Sequence, residues 1–349
     1  MAYTIAVDAM GGDFAPQEIV KGVVMALNDE PALNVILVGD EEAIRRELIL
    51  NNYEKELSIV HTKEFITMED SPKKALSEKT QASITLALKL LNDGKADALV
   101  SAGNTGATVL ACAKNLHMIE GLERSGLAAI YPTAKFKPGS RGFALMLDVG
   151  ATINCTAKQL AHFAFLGSHY VSKILNVENP RIGLLNNGEE ETKGGPVLSQ
   201  AHKYLKNEKE LNFIGNVEGK DVPKGDVDIV ITEGFVGNVV LKLLEGVGEV
   251  VKEMGKYAFR KKLVWKIGLA FLAKGVKKIK QKTDYSEYGG APVLGFNKLV
   301  IKSHGRSNAK AIMNATKAAL RSVEYDFVGT VSESIKKFNE KHAVDFMEI

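Results

Sequence analysis

The chain has 349 residues, 45% hydrophobic and 25% charged, with a formal net charge of +3. Such proportions belong to a soluble globular protein with a large core and exclude a disordered or fibrous chain. Ten lysines and arginines fall in the acid-free stretch 254–283, which leaves the remainder at −7 (3 − 10), so a general nucleic-acid-binding reading loses its support.

The N-terminal residues 1–13 carry no basic region and meet acids at Asp8 and Asp13, so no signal peptide is expected. From there, short β-rich runs alternate with helical patterns. The runs are 3–7, 34–38, 58–60, 98–100, 127–131, 143–147, 181–185, 212–214, 228–231 and 298–302. This alternation predicts an α/β fold: a three-layer α/β/α arrangement with a largely parallel sheet covered by helices on both faces. With no Pro/Ser-rich linker, residues 1–349 read as a single α/β catalytic unit, open to a bilobal arrangement.

The turns after these strands carry the unusual residues: 8–13, 101–106, 148–150, 186–188, 233–238 and 303–305. In open α/β sheets ligands sit at the carboxyl ends of strands, so the turns are expected to converge. Two segments share one design. Residues 98–110 (ALVSAGNTGATVL) and 228–241 (DIVITEGFVGNVVL) each run from an apolar strand through a Gly/Asn turn into a helix. Free backbone N–H groups and the helix dipole favour an anion at such a start, and glycines admit a phosphate close to the backbone.

The expected phosphate and substrate residues are therefore Asp8, Gly11, Gly12, Gly103, Asn104, Thr105, Gly106, Asn186, Glu233, Gly234 and Gly237. Helix capping explains an Asn or Thr at such a start equally well. Lys193, beside the Gly194-Gly195 pair, is either a solvated loop lysine or a point charge for phosphate or a developing oxyanion, with Asn238 as companion donor. His304 is an acid/base or phosphate-donor candidate, or a structural turn histidine. Asp8, Asp13, Asp148 and Glu233 lack any metal-specific spacing, so no metal site is assigned and no cofactor is expected.

Cys112 and Cys155 are too few for a disulfide framework, which fits a reducing cytoplasm, and Cys155 reads as a quiet thiol. Dinucleotide, Walker, Gly-x-Ser-x-Gly and His-Glu-x-x-His motifs are missing. No apolar run approaches the ~20 residues of a membrane span.

Residues 246–283 stand apart as a protruding basic, amphipathic helical hairpin, bent near Gly268 or Gly275. Trp265, Leu269, Leu272, Val276 and Ile279 lie on one helical stripe opposite Lys266, Lys274, Lys277 and Lys278. Oligomer packing and contact with a membrane surface or acidic partner, through Lys261, Lys262, Trp265, Leu269, Leu272 and Lys277, both fit this pattern.

Residues 5–13 (IAVDAMGGD), 101–107 (SAGNTGA), 147–151 (LDVGA), 230–238 (VITEGFVGN) and 288–291 (YGGA) together closely resemble the PlsX family of bacterial phosphate acyltransferases. The resemblance implies an isocitrate-dehydrogenase-like fold and transfer of a fatty acyl group from acyl carrier protein to inorganic phosphate. The resulting acyl phosphate would feed a glycerol-phosphate acyltransferase in phospholipid synthesis. It further implies a homodimer, cytoplasmic and peripherally attached to an anionic membrane. In this picture Lys193 and Asn238 position phosphate and stabilise the oxyanion, and His304 protonates the leaving thiolate. Two alternatives stand beside it: a metal- and NAD-dependent dehydrogenase of the same fold, and a non-enzymatic membrane-surface scaffold.

Overall fold

The computed structural model describes residues 3–134, 140–261, 268 and 289–346. Its strands are β1 (Thr4–Asp8), β2 (Asn34–Gly39), β3 (Ser58–His61), β4 (Ala98–Ser101), β5 (Gly126–Pro132), β6 (Phe143–Leu147), β7 (Ile182–Leu185), β8 (Phe213–Val217), β9 (Ile229–Ile231), β10 (Ala291–Leu294) and β11 (Leu299–Lys302). They form one sheet in the order β3-β2-β1-β4-β11-β10-β5-β6-β9-β7-β8. Ten lie within three residues of the runs expected from sequence. β10 was not expected: four residues with a proline make a weak strand signal.

That missed strand changes the topology. β10 pairs antiparallel with both β11 and β5, and β5 pairs antiparallel with β6. The sheet is thus mostly parallel but mixed, with two parallel blocks joined by an antiparallel centre. In a flat sheet the carboxyl ends of the two blocks would point oppositely. Six steps of sheet order separate β1 from β9, and a twist of roughly 20–25° per step accumulates to about 130°. A twist of that size brings the directions of the two blocks' carboxyl ends closer than a flat sheet would.

The helices are α1 (Gln17–Asp29), α2 (Glu41–Leu50), α3 (Pro72–Glu78), α4 (Ser83–Asn92), α5 (Thr105–Asn115), α6 (Ala157–His169), α7 (Gly195–Lys206), α8 (Gly234–Lys261), α9 (Ala309–Glu324) and α10 (Phe327–Lys341). Along β1, Ile5 and Val7 join one apolar cluster with α1, α6, α9 and α10; Ala6 joins another with α4, α5 and the inner face of α8. Burial on both faces is why these strands read as continuous apolar runs rather than alternating ones. Local sequence sets several helix starts: Thr156 and Gln159 form a capping box on α6, and Asn308 caps α9.

The described part of the expected extension, residues 246–261, continues α8 without a break, so it is the far end of a helix that begins at a strand end. At 1.5 Å per residue its 28 residues reach about 42 Å. Leu243, Val247, Val250, Met254 and Tyr257 are exposed along one side. Lys262, Trp265, Leu269, Leu272 and Lys277 lie outside the described residues, as does the side chain of Lys261. Among the described residues no helix is long and apolar enough to cross a membrane.

Candidate active site

The structure gathers the expected residues into two clusters and leaves a third group apart. The first cluster lies at the ends of β1, β4 and β11. Asp8, Ser101 and Lys302 are register partners across these neighbouring parallel strands. The buried Asp8 carboxylate accepts from Ser101 Oγ at 2.7 Å and from the Met10 N–H at 3.3 Å; Ser101 Oγ in turn accepts from the Gly103 N–H at 3.1 Å. Burial raises the Asp8 pKa against the lowering effect of these donors. Gly11 must be glycine here, because a Cβ would stand 2.5 Å from Asp8 Oδ2 and 2.7 Å from the Gly103 nitrogen. Gly12 adopts φ +109° as the turn crosses to Gly305, whose carbonyl accepts from the Asp13 N–H at 2.8 Å.

Asn104 is committed to structure. Its Oδ1 caps α5 by accepting from the Ala107 N–H at 3.1 Å, and its Nδ2 faces the carbonyls of Thr67, Met68 and Asp70 at 3.4, 3.1 and 3.1 Å. What the turn offers a ligand is backbone. The N–H groups of the exposed Thr105 and Gly106 have no partner among the described residues.

The second cluster joins the ends of β6 and β9. Asp148, fully buried, accepts from the N–H groups of Leu127, Gly150, Ala151 and Thr152 and from the Thr152 hydroxyl, all within 3.0 Å. Thr152 Oγ1 then accepts from the Gly234 N–H at 2.9 Å, which pins the first turn of α8 to the 148–152 loop. Gly234 and Gly237 permit that approach: a Cβ on Gly237 would lie 2.0 Å from the Asp148 carbonyl oxygen, and one on Gly234 would lie 2.4 Å from that of Thr152. The Glu233 carbonyl accepts from the Gly237 N–H at 2.9 Å. Asn238 is exposed, with its amide near Gly150 and no hydrogen-bond partner among the described residues.

The helix of the second cluster passes near the turn after β11. Lys242 and Glu245 of α8 act electrostatically on His304, in the turn after β11. Partial burial of the ring and the neighbouring Lys302 lower the His304 pKa. Its Nδ1 accepts from the Arg306 N–H at 3.1 Å. A neutral ring therefore carries its proton on Nε2 and donates a hydrogen bond; the geometry favours that over an imidazolium acid.

The third group is Asn186 and Lys193. Asn186 Nδ2 donates to the Lys193 carbonyl at 3.0 Å and its Oδ1 accepts from the Asn187 N–H at 2.8 Å, folding the loop back on itself. Lys193 is exposed, and no hydrogen bond or ion pair joins its ammonium to either cluster among the described residues. Cys155 is buried, 3.3 Å from Thr152 Oγ1, and burial pushes its thiol up to about 11; Cys112 rises to about 12 for the same reason. Both stay protonated at neutral pH, so neither serves as a nucleophile.

Sequence reasoning passed over Lys302, Ser303 and Thr152. A lysine closing the apolar run Leu299-Val300-Ile301 just before Ser-His-Gly was the available signal for the first two. Thr152 carried none, because its partners are Asp148 and the distant Gly234.

Comparisons with known proteins identify the family. The family model described as fatty acid synthesis protein matches residues 3–329. The phosphate acyltransferase of Thermoanaerobacter pseudethanolicus is 42% identical over 340 residues, covering 97% of this chain and 99% of that protein. That of Dictyoglomus turgidum is 43% identical over 341 residues, with 97% and 99% covered. Among solved structures, a Streptococcus pyogenes phosphotransacetylase superposes with a TM-score of 0.61 at 16% identity, covering 92% of this chain and 94% of that one. A branched-chain phosphotransacylase from Enterococcus faecalis gives 0.55 at 17% identity, with 92% and 99% covered. The chain belongs to the PlsX, or fatty acid synthesis protein, family of phosphate acyltransferases.

Proposed function

We propose that this phosphate acyltransferase of fatty acid and phospholipid synthesis holds inorganic phosphate at the α5 turn and the acyl carbonyl at the α8 turn. The acyl donor is a thioester of acyl carrier protein. The observation that carries this reading is the placement of two helix starts at strand ends, one offering the Thr105 and Gly106 N–H groups, unpartnered among the described residues, and the other the exposed Asn238 amide, beside the buried carboxylates Asp8 and Asp148.

The chemistry follows from what the site holds. A hydrogen phosphate oxygen attacks the thioester carbonyl, the tetrahedral oxyanion collapses, and the C–S bond breaks. The proton that phosphate loses ends on the thiolate, so acyl phosphate and free carrier thiol form without an enzyme nucleophile. The site contributes alignment and donors for the oxyanion, worth up to ~7–11 and roughly 3–4 kcal/mol respectively. Asn238 Nδ2 and the exposed Lys193 serve the acyl oxygen, while the Thr105 and Gly106 N–H groups, with Gly11, Gly12, Gly103 and Gly234, shape the two seats. His304 Nε2 hydrogen-bonds the departing sulfur. This replaces the full proton donation expected of it, because its pKa is lowered.

The exposed α8 stripe Leu243, Val247, Val250, Met254, Tyr257 steps by four, three, four and three, the spacing of a helix–helix seam. We assign it to a second copy of this chain, which makes the enzyme a homodimer, with each chain acting as one catalytic unit. The isocitrate-dehydrogenase-like layout is supported by the antiparallel centre between the two parallel blocks. The lysine-rich residues 256–282 supply charge for the acidic carrier protein and an anionic membrane, and the acyl phosphate passes to a glycerol-phosphate acyltransferase. Acyl carrier protein thioester, phosphate and the purified protein should release carrier thiol and yield hydroxylamine-trappable acyl phosphate; thiol release that ignores phosphate would refute the assignment.

A further inference from the structure

Lys302 is 4% exposed at the end of β11, yet it forms no ion pair among the described residues. Its ammonium donates to the Ser303 carbonyl, the sole hydrogen-bond acceptor it finds among the described residues, and two of its three protons need other acceptors. Asp8 acts on it electrostatically, while its carboxylate accepts hydrogen bonds from Ser101 and Met10 rather than from the ammonium. Beside it, Ser303 Oγ is buried without any hydrogen-bond partner among the described residues. On the other side β4 leads within four residues into α5, whose first N–H groups are unpartnered among the described residues.

Positive charge, a helix N-terminus and an unsatisfied hydroxyl thus accumulate at one place. Burying an ammonium with too few acceptors is strongly unfavourable unless an anion completes it. Gly290 closes the far side: a Cβ there would lie 2.9 Å from the Lys302 carbonyl oxygen and 3.1 Å from Ser303 Oγ, so β10 starts directly against this spot. That contact gives the Gly289-Gly290 pair of the 288–291 motif a physical role.

We infer that Lys302 supplies the fixed positive charge that holds the attacking phosphate at the ends of β1, β4 and β11, with Ser303 Oγ as a further donor. The inference rests on reading these strand ends as the phosphate seat. It separates two cations: Lys302 is rigid and serves the nucleophile, whereas Lys193 is exposed and serves the acyl side.

A pH signature follows. The charged and titratable groups facing Lys302 are Asp8 on β1, Asp13 in the turn after it, and His304 beyond Ser303. Burial outweighs both acids and lowers the amine to about 8. Phosphate is already dianionic there, so above pH 8 only the enzyme loses charge. The competent fraction, and with it phosphate affinity, then falls about tenfold per pH unit.

The test uses the intact protein with inorganic phosphate, read by thermal shift without acyl donor and by phosphate KM in the coupled assay. In the unmodified enzyme, phosphate should raise the melting temperature and its KM should climb above pH 8. Lys302→Met should raise phosphate KM at pH 7 by at least about tenfold, the scale of a lost charged hydrogen bond, abolish the thermal shift, and remove the limb above pH 8. KM for the acyl donor should stay put. Lys302→Arg should restore part of the affinity and keep it constant through pH 9. An unchanged phosphate KM with the limb intact in Lys302→Met overturns the inference; if that variant does not fold, a limb persisting in Lys302→Arg does so. Loss of phosphate-induced stabilisation in the unmodified enzyme would instead remove the phosphate seat itself.

Discussion

The α5 and α8 turns look alike in sequence and are wired differently in space. At α5 the asparagine is bound on both sides, capping the helix and holding the 67–70 loop, and the groups left without partners among the described residues are the backbone N–H of Thr105 and Gly106. At α8 the backbone start is pinned by Thr152 and wedged by two glycines, and the asparagine is left exposed. The same residue type is bonded into the structure in one turn and exposed in the other. The difference comes from what lies over each turn: a loop rich in carbonyls covers Asn104, whereas no hydrogen-bond partner meets the Asn238 amide among the described residues.

Four measurements break or sharpen this contrast. The largest effect belongs to Gly237→Ala. Its methyl would meet a backbone carbonyl at 2.0 Å, so the α8 start must move. Displacements near 1 Å can cost about 100-fold in rate, and we expect at least that loss in kcat, together with a lower melting temperature. Asn238→Ala comes next: kcat should fall by roughly 100- to 1,000-fold, the cost of one oxyanion donor, with melting unchanged because the amide bonds nothing in the described chain. A fall in melting temperature without loss of kcat would reverse the roles assigned to the two asparagines.

Asn104→Ala should do the opposite. Loss of the cap and of the loop carbonyl bonds should cost about 2 kcal/mol, read as a melting temperature lower by several degrees, while activity at ordinary assay temperature falls less than in Asn238→Ala. The smallest effect is expected for His304→Gln. Because the folded ring has a lowered pKa, it is neutral at pH 7, and its contribution to stability is present above the ordinary imidazole value and lost as pH falls below it. The glutamine amide would keep a donor in place of the ring N–H, so kcat should drop by less than about tenfold, and the variant should lose less stability than the parent on acidification through the imidazole range. A kcat limb in that range that vanishes in His304→Gln would restore the proton-donor role.

Much of the fold was legible because it is local. Apolar β-rich runs identified ten strands, each through its own few residues. β10 escaped because its support comes from β5 and β11 rather than from its own four residues. At the site, the glycines and asparagines of both turns were visible as a pattern, and so was the family. Their division of labour was not visible: the partners of Asn104 lie 34–37 residues away and the hydroxyl that holds Gly234 lies 82 away.

By itself, then, the sequence determined the α/β class, the positions of the strand-end turns, the phosphate acyltransferase family and the lack of any activated nucleophile motif. Tertiary structure alone decided that the sheet has an antiparallel centre, that one asparagine is spent and the other exposed, and that Lys302 is buried beside Ser101 and Asp8. The physical reason is common to all three. Burial and hydrogen-bond satisfaction depend on which distant segments come to lie against a residue, and no local pattern of residue types encodes that.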